Sequence, residues 1–258
     1  MRSRIIAACA VVFAAGTVSF GGTTLLDFET AGQYTGNFRL LAGSSTQTQT
    51  GPSAGNDYVI STSPTAANAA IAFDTTPGDA TFGTATTFNG PVTVSVDALF
   101  QANTSSLGIY FINPADETKS YLALFNINNN GSEAGDLIRF AGEANPIVVG
   151  AGTLNAGKSG DASFALNTFN NITVQYSVNT SNNPVLTMTA GTLSDSITFG
   201  SVTAPSSVEV GLRLSPKPSP GDLYVDNFSV TSTPEPSCVG LLAGSGLLLM
   251  RRRRGQKR

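Results

Sequence analysis

The chain has 258 residues, with 17 acidic and 14 basic side chains and neither histidine nor tryptophan. Without histidine, His-based acid–base catalysis, histidine metal ligands and the Ser-His-Asp triad are excluded. Residues 22–233 carry six basic and sixteen acidic residues, a formal net charge of −10. A domain this acidic repels phosphate backbones, so nucleic acid is excluded as a partner. Both cysteines, Cys9 and Cys238, lie outside that range, and no disulfide within it is expected.

The N-terminal segment, residues 1–21, has the pattern of a secretory signal peptide. Arg2 and Arg4 form a positive n-region, and the apolar run Ile5–Ala15 follows, with small residues beyond it. This run is too short and wrongly flanked for a lasting membrane span. We therefore predict a signal helix that a signal peptidase removes during export.

The C-terminal segment, residues 232–258, combines three elements in order. The first is the rigid tripeptide Pro234-Glu235-Pro236. The second is the apolar run Val239–Met250, and the third is the arginine cluster Arg251-Arg252-Arg253-Arg254. As a helix with ~1.5 Å rise per residue the run reaches only ~18 Å, well short of a ~30 Å hydrocarbon core. Arginines beside an apolar segment stay cytoplasmic, so everything before Pro234 is predicted to lie outside.

This tail resembles the PEP-CTERM sorting signal of exported bacterial proteins on those same residues. The resemblance implies recognition by an exosortase, a membrane-embedded cysteine protease that removes the tail near the Pro-Glu-Pro. It also implies a protein of the cell envelope, cell surface or extracellular space, whose tail is inserted only transiently in the inner membrane. A plain C-terminal anchor is the alternative, and under either interpretation the preceding domain lies outside the cytoplasm.

Residues 22–231 are predicted to form one all-β domain. Apolar and polar residues alternate, as in Val92–Ala98, Ile172–Val178 and Val208–Leu214, and no segment sustains a 3.6-residue apolar period. Each sheet needs a partner to cover its apolar face. About a dozen strands without helices therefore predict an antiparallel two-sheet sandwich, flanked by the signal helix and a short C-terminal apolar helix.

Three pairings of strands are predicted within the sandwich. They join Leu107–Phe111 to Tyr121–Phe125, Phe169–Val178 to Val185–Ala190, and a closing strand Leu223–Val230 to the first strand Leu25–Phe28. On these passages, residues 24–231 resemble the concanavalin A-like or laminin-G-like jelly rolls of extracellular proteins. The alternative is the galactose-binding-like jelly roll, another sandwich with a similar terminal strand. Turn residues occupy Asn128–Gly131 and Asn179–Pro184, and Ala42–Asn56 is predicted to be a surface loop.

Carboxylate spacing does not favour a glycosidase. Such enzymes need two carboxylates about 5–10 Å apart, and the Glu-x-Asp-x-x-Glu strand of concanavalin A-like glucanases does not occur here. Glu133, Asp136 and Glu143 are predicted to be solvated side chains in or near a glycine-rich turn. We predict that the protein is not an enzyme.

Three acidic residues form a candidate metal site. Asp27 and Glu29 end the first predicted strand, and Asp226 lies in the last, where alternation falters and predicts a bulge at Asp226–Asn227. If the terminal strands pair, oxygen ligands suited to Ca²⁺ come together. Structural calcium is the only cofactor the sequence suggests; the alternative is a set of exposed carboxylates without metal.

Three functions remain open at this point. The favoured one is a non-catalytic surface or matrix protein that binds carbohydrate, since the PEP-CTERM resemblance implies bacteria that build exopolysaccharide. The second is a purely structural envelope protein, and the third is a divergent glycoside hydrolase. A binding protein should present exposed Tyr or Asn/Asp side chains on a concave face or loop cluster.

Overall fold

A computed structural model describes residues 23–29, 32–43, 46–50, 58–62, 69–73, 86–116, 119–127, 135–142, 154–155, 157–216 and 222–233. The predicted signal peptide and the sorting residues Pro234, Glu235, Pro236 and Arg251–Arg254 lie outside these residues. The two predicted terminal helices and the predicted turn at Asn128–Gly131 also lie outside them. Within the described part of the chain, no helix has the length and apolarity needed to span a membrane.

The described residues form sixteen strands and one short helix, α1 (Gln33–Asn37). The strands are β1 (Thr23–Leu26), β2 (Phe38–Gly43), β3 (Thr46–Thr50), β4 (Tyr58–Thr62), β5 (Ala69–Phe73), β6 (Thr87–Asn89), β7 (Val92–Phe100), β8 (Ser106–Ile112), β9 (Tyr121–Asn126), β10 (Asp136–Gly142), β11 (Ser159–Gly160), β12 (Phe169–Val178), β13 (Pro184–Ala190), β14 (Leu193–Thr198), β15 (Ser207–Ser215) and β16 (Leu223–Ser232).

These strands make two antiparallel sheets of eight strands each. The first sheet runs β14-β13-β12-β7-β16-β4-β3, and β1 also pairs with β16. The second runs β11-β10-β9-β8-β15-β5-β2, and β6 also pairs with β15. The predicted all-β, two-sheet sandwich is confirmed.

Inward-facing side chains of both sheets form one large apolar core. Along β7 every second residue is buried, which is the alternation that predicted the strand. Aromatic rings join the sheets: Phe228 lies 5.1 Å from Phe38 between ring centroids, and Tyr176 stacks on Phe111 at 5.4 Å. Large aromatic contacts of this kind contribute both buried area and pairing energy to the core.

The predicted strand pairings are also confirmed. β8 pairs with β9, β12 pairs with β13, and β1 pairs with β16, with Leu26 opposite Phe228. Asn179 closes the β12–β13 turn, because its Oδ1 accepts hydrogen bonds from the backbone N–H groups of Ser181 and Asn183, both at 2.9 Å. Every strand that alternation predicted is present, with its ends shifted by three residues or fewer.

Two expectations about irregular structure were wrong. The predicted loop Ala42–Asn56 contains β3, a Thr/Gln strand that pairs with β4 through its backbone and so shows no apolar alternation. Its Gln49 donates from Nε2 to the carbonyl of Phe28 at 2.6 Å. The chain also forms α1, a single turn that begins after Gly32, whose φ of 85° favours glycine.

The outer side of the second sheet is more buried than alternation predicted. Glu209, expected on the polar side of its strand, is fully buried, and its Oε2 lies 3.5 Å from Nη2 of the buried Arg39. A separate apolar cluster lies there, which includes Ala70, Tyr110 and Leu122. Strands that are buried on both faces of a sheet need few polar residues. Their sequences therefore lack the apolar–polar alternation by which a half-buried strand is recognised.

Candidate functional site

The outer side of the first sheet is lined by hydroxyl and amide side chains. We call this side of the sheet the polar face. Its members are Thr93, Ser95 and Asp97 of β7, Asn171, Thr173 and Gln175 of β12, Thr187 and Thr189 of β13, Ser194 and Ser196 of β14, and Asn227, Ser229 and Thr231 of β16. Strand register aligns them in rows, because Thr173 lies opposite both Ser95 and Thr189. The same two-residue period that buries the valines directs these side chains outward.

An exposed amide–carboxylate network lies on this face. Asn171 Nδ2 donates to Asp97 Oδ1 at 2.8 Å and to Ser95 Oγ at 2.9 Å. Asn227 Nδ2 donates to the other oxygen of the same carboxylate, Asp97 Oδ2, at 2.9 Å. Thr173 Oγ1 donates to Asn171 Oδ1 at 3.1 Å. These bonds hold both amides in place while leaving Asn171 and Asn227 exposed to solvent.

Hydroxyl pairs extend the polar face toward its edge. Thr187 and Ser196 lie 3.0 Å apart between hydroxyl oxygens, and Thr189 and Ser194 lie 3.2 Å apart. Cross-strand hydroxyl pairs stabilise a sheet modestly. A hydroxyl has one donor and two acceptor sites, so each pair keeps acceptor capacity for a ligand.

The bulge predicted at Asp226–Asn227 is present. The register between β16 and β7 shifts between Asp226 and Ser229, and Asn227 has a φ of 49°. On the other edge of β16, β4 pairs as far as Val225 and β1 begins at Phe228. The bulge thus lies where one neighbouring strand replaces another, and it directs the Asn227 amide toward Asp97.

The predicted metal ligands gather around this bulge, together with a fourth carboxylate. Burial raises the pKa of Asp226 above its ordinary value of 3.8, a backbone hydrogen bond from Asn227 lowers it, and the charges of Asp97, Glu29 and Asp27 raise it. Asp226 is the Cα partner of Asp97. The four acidic residues are therefore electrostatic neighbours, as pairing of the terminal strands implied.

Among the described residues, no three acidic side chains are arranged closely enough to hold a metal ion. One oxygen of Asp27, Oδ1, already accepts hydrogen bonds from Gln33 Nε2 at 3.1 Å and from the backbone N–H of Glu29 at 3.3 Å. Calcium at Asp27, Glu29 and Asp226 stays a prediction.

The structure corrects the expectation for Asp136. It is the first residue of β10 and only 1% exposed, and its Oδ2 accepts a hydrogen bond from the backbone N–H of Ala162 at 3.1 Å. It is a buried structural carboxylate rather than a solvated loop residue. Glu133 and Glu143 lie outside the described residues.

Sequence reasoning missed Asp97 and Asn171. Each is an unremarkable polar residue in an alternating strand, and its role depends on which strand lies beside it. Asp97 and Asp226 are 129 positions apart in the chain, and no local pattern indicates that they are partners.

No protein-family model and no curated protein matches the chain. Solved structures do share its fold. Lectin II from Ulex europaeus is 11% identical with a TM-score of 0.50, over 83% of this chain and 100% of that chain. Lectin UEA-II complexed with galactose is 10% identical with a TM-score of 0.50, over the same shares. The Emp47p carbohydrate recognition domain is 11% identical with a TM-score of 0.49, over 82% of this chain and 95% of that chain.

The two lectin structures with a TM-score of 0.50 show that the chain shares their fold. The chain has the concanavalin A-like jelly-roll sandwich of legume-type lectins, which is the architecture predicted from its strands.

Proposed function

We propose that this chain is an exported, exosortase-sorted surface or matrix protein whose sandwich binds carbohydrate without catalysis. The observation that carries the binding part is the exposed network of Asn171, Asp97 and Asn227 on the polar face. A binding protein was expected to present exposed Tyr or Asn/Asp side chains on a concave face or loop cluster, and the exposed Asn171 and Asn227 supply side chains of that kind.

The chemistry of the polar face suits a neutral glycan. A sugar presents hydroxyl groups that both donate and accept, and amides, carboxylates and hydroxyls supply both functions. The polar face crosses β14, β13, β12, β7 and β16, which offers an extended chain many shallow contacts. The galactose complex of lectin UEA-II supports carbohydrate as the ligand class on a sandwich of this type.

Export and sorting rest on the two ends of the sequence. The signal-peptide pattern of residues 1–21 and the tail from Pro234 to Arg254 support signal peptidase and an exosortase as processing partners. Extracellular polysaccharide is then the partner of the mature protein. The proposal places the domain at the bacterial envelope or outside the cell, with the tail only transiently in the inner membrane.

Structural calcium at Asp27, Glu29 and Asp226 is proposed as a further component. Like charges brought together without a cation repel each other. A bound divalent ion would offset that repulsion and hold β1 to β16. Carboxylate and amide oxygens are the ligands that such an ion prefers.

Glycan-array binding by purified full-length protein tests the function. We expect binding to neutral polysaccharide or oligosaccharide, and a loss of about fivefold in affinity for Asn171→Ala or Asn227→Ala, since a hydrogen bond contributes ~1 kcal/mol. Asn155→Ala is the matched control. This exposed asparagine lies away from the polar face, and its backbone N–H donates to the carbonyl of Phe140 in the second sheet.

Two outcomes would contradict the proposal. Binding to no glycan, by a protein that is folded, would favour the purely structural envelope role. Shortening of a bound oligosaccharide, detected by mass spectrometry, would favour the hydrolase.

A further inference from the structure

Four apolar side chains form a row at one end of the polar face. The row consists of Phe169 of β12, Leu99 of β7, Tyr224 of β16 and Ile60 of β4, and we call it the apolar row. Leu99 is the Cα partner of both Phe169 and Tyr224, and Tyr224 is also the partner of Ile60. The apolar row therefore crosses four neighbouring strands, a span of about 14 Å at ~4.8 Å between strands.

The apolar row is accessible to solvent. Phe169 is 37% exposed, and the other three side chains of the row are half-buried. Apolar side chains that are exposed singly need no explanation, whereas contiguous apolar surface with a polar rim marks an interaction site. The row is contiguous because its members are partners in register on one side of the sheet.

The amide–carboxylate network supplies the polar rim. Asn171 and Asp97 are Cα partners, and each lies two residues along its strand from a member of the row, Phe169 or Leu99. That separation is ~7 Å, so a sugar ring on the apolar row has hydrogen-bonding groups beside its edge. The carboxylates of Asp97 and Asp226, which are also Cα partners, repel an acidic polysaccharide from this end of the face.

Hydrogen bonds restrain both aromatic residues of the row. The hydroxyl of Tyr224 accepts a hydrogen bond from Nε2 of Gln101 at 2.8 Å. Immediately before Asn170, Thr168 and Phe169 lead into β12, and Nδ2 of Asn170 donates to the carbonyl of Thr168 at 2.7 Å. Side chains that are already restrained lose less conformational entropy when a ligand binds. The row is thus a preformed surface.

We propose that the apolar row is the stacking surface of the glycan site, a role that rests on the proposed function, and that it selects neutral β-linked glycans with equatorial hydroxyls. Such a pyranose ring carries C–H groups on both faces and hydroxyls around its edge. Its faces pack on aromatic and aliphatic side chains, and its edge hydroxyls bond amides and carboxylates. A β-linked chain of these rings is an extended ribbon that fits a row across four strands, whereas an α-linked chain coils.

Isothermal titration calorimetry of the full-length protein tests this selectivity with cellohexaose and maltohexaose. Both probes are chains of glucose of the same length, and they differ only in β or α linkage. We expect cellohexaose to bind about tenfold more tightly or better, a difference of ~1.4 kcal/mol. Phe169→Ala should weaken cellohexaose binding about five- to tenfold and reduce the preference for it over maltohexaose. A purely structural effect of the variant would weaken both alike.

Two further variants separate stacking from general effects on the protein. Phe169→Leu keeps apolar area without the aromatic ring, so its affinity for cellohexaose should lie between those of the unmodified protein and Phe169→Ala. Leu40→Ala is the matched control, because Leu40 is 57% exposed but lies on β2, an edge strand of the second sheet. It should leave the affinity for both probes unchanged.

Equal affinity for cellohexaose and maltohexaose would overturn the selectivity and leave the proposed carbohydrate binding intact. Cellohexaose binding that Phe169→Ala does not weaken would overturn the stacking role of the row in the same way. If neither probe binds while another glycan does, the ligand class is wrong. If a folded protein binds no glycan at all, the selectivity and the proposed function both fail.

Discussion

Asp97 and Asp226 lie opposite each other as Cα partners on β7 and β16, and the Asn227 amide contacts both carboxylates. Its Nδ2 lies 2.9 Å from Asp97 Oδ2 and 3.5 Å from Asp226 Oδ2. Like charges directly opposite each other destabilise a sheet. Proteins usually tolerate such a local conflict at functional sites. This pair therefore links the bulge in β16 to the polar face.

Replacing one carboxylate of this pair should stabilise the protein. We expect Asp226→Asn to raise the melting temperature at pH 7, because it removes a charge that burial and three acidic neighbours disfavour. The gain should be below the ~2–4 °C that 1 kcal/mol produces in a domain of this length, since solvent screens a partly exposed group. Asp195→Asn, on β14 away from the bulge, is the control.

The same variant should change the pH dependence of stability. In the folded protein the pKa of Asp226 is raised, so the folded state binds the proton more tightly than the unfolded chain does. The contribution of Asp226 to stability therefore falls as pH rises from the ordinary value of 3.8 through the folded pKa. Urea unfolding across this range should show the advantage of Asp226→Asn growing with pH and vanishing below the window. An advantage that is equal at pH 3 and pH 7 would contradict the assignment.

Calcium should raise the melting temperature if the predicted site exists. An ion that binds only the folded state stabilises it by RT ln(1 + [L]/Kd), which is ~2.7 kcal/mol at one hundred times Kd. We expect a rise with millimolar calcium, reversal by a chelator, and loss of the response in Asp226→Ala. A melting curve that ignores both calcium and chelator would leave Asp27, Glu29 and Asp226 as carboxylates without metal.

Removing one partner of the buried Arg39–Glu209 pair should be costly. Glu209→Ala should destabilise the protein by about 3–5 kcal/mol, because the guanidinium would stay buried without this counter-charge. The double variant Arg39→Met, Glu209→Leu should recover most of the loss, since apolar groups of similar volume often replace a buried ion pair well. Urea denaturation measures both. A double variant as unstable as the single one would show that packing, rather than charge, dominates there.

Mature protein from the native host should lack the C-terminal tail. We expect an intact mass that excludes Val239–Arg258, because removal occurs near the Pro-Glu-Pro. Glu235→Ala, or deletion of Arg251–Arg254, should leave the tail in place. Recovery of full-length tail in the unmodified surface-released protein would contradict exosortase sorting, and Ser232→Ala serves as a nearby control.

Much of the sandwich followed from the sequence because alternation is a local property. Val92, Val94 and Val96 alternate with polar residues, and a strand with one buried face must show that period. The bulge at Asp226–Asn227 was equally visible, since a change of face within one strand requires an extra residue. β3 was missed because Thr and Gln on an edge strand carry no such contrast.

Only the tertiary structure decided what lies beside each strand. The sequence alone determined that Asp97 sits on the polar side of a strand, but strand order places it against Asp226 and Asn171. Burial of Glu209 beside Arg39, which lies 170 positions earlier in the chain, likewise could not be predicted from either strand alone. A small pocket lined by Tyr176 and Ser207 forms because β12 and β15, which belong to different sheets, meet at one end. Pairing and register between remote strands arise from packing of the whole domain, so no window of sequence contains them.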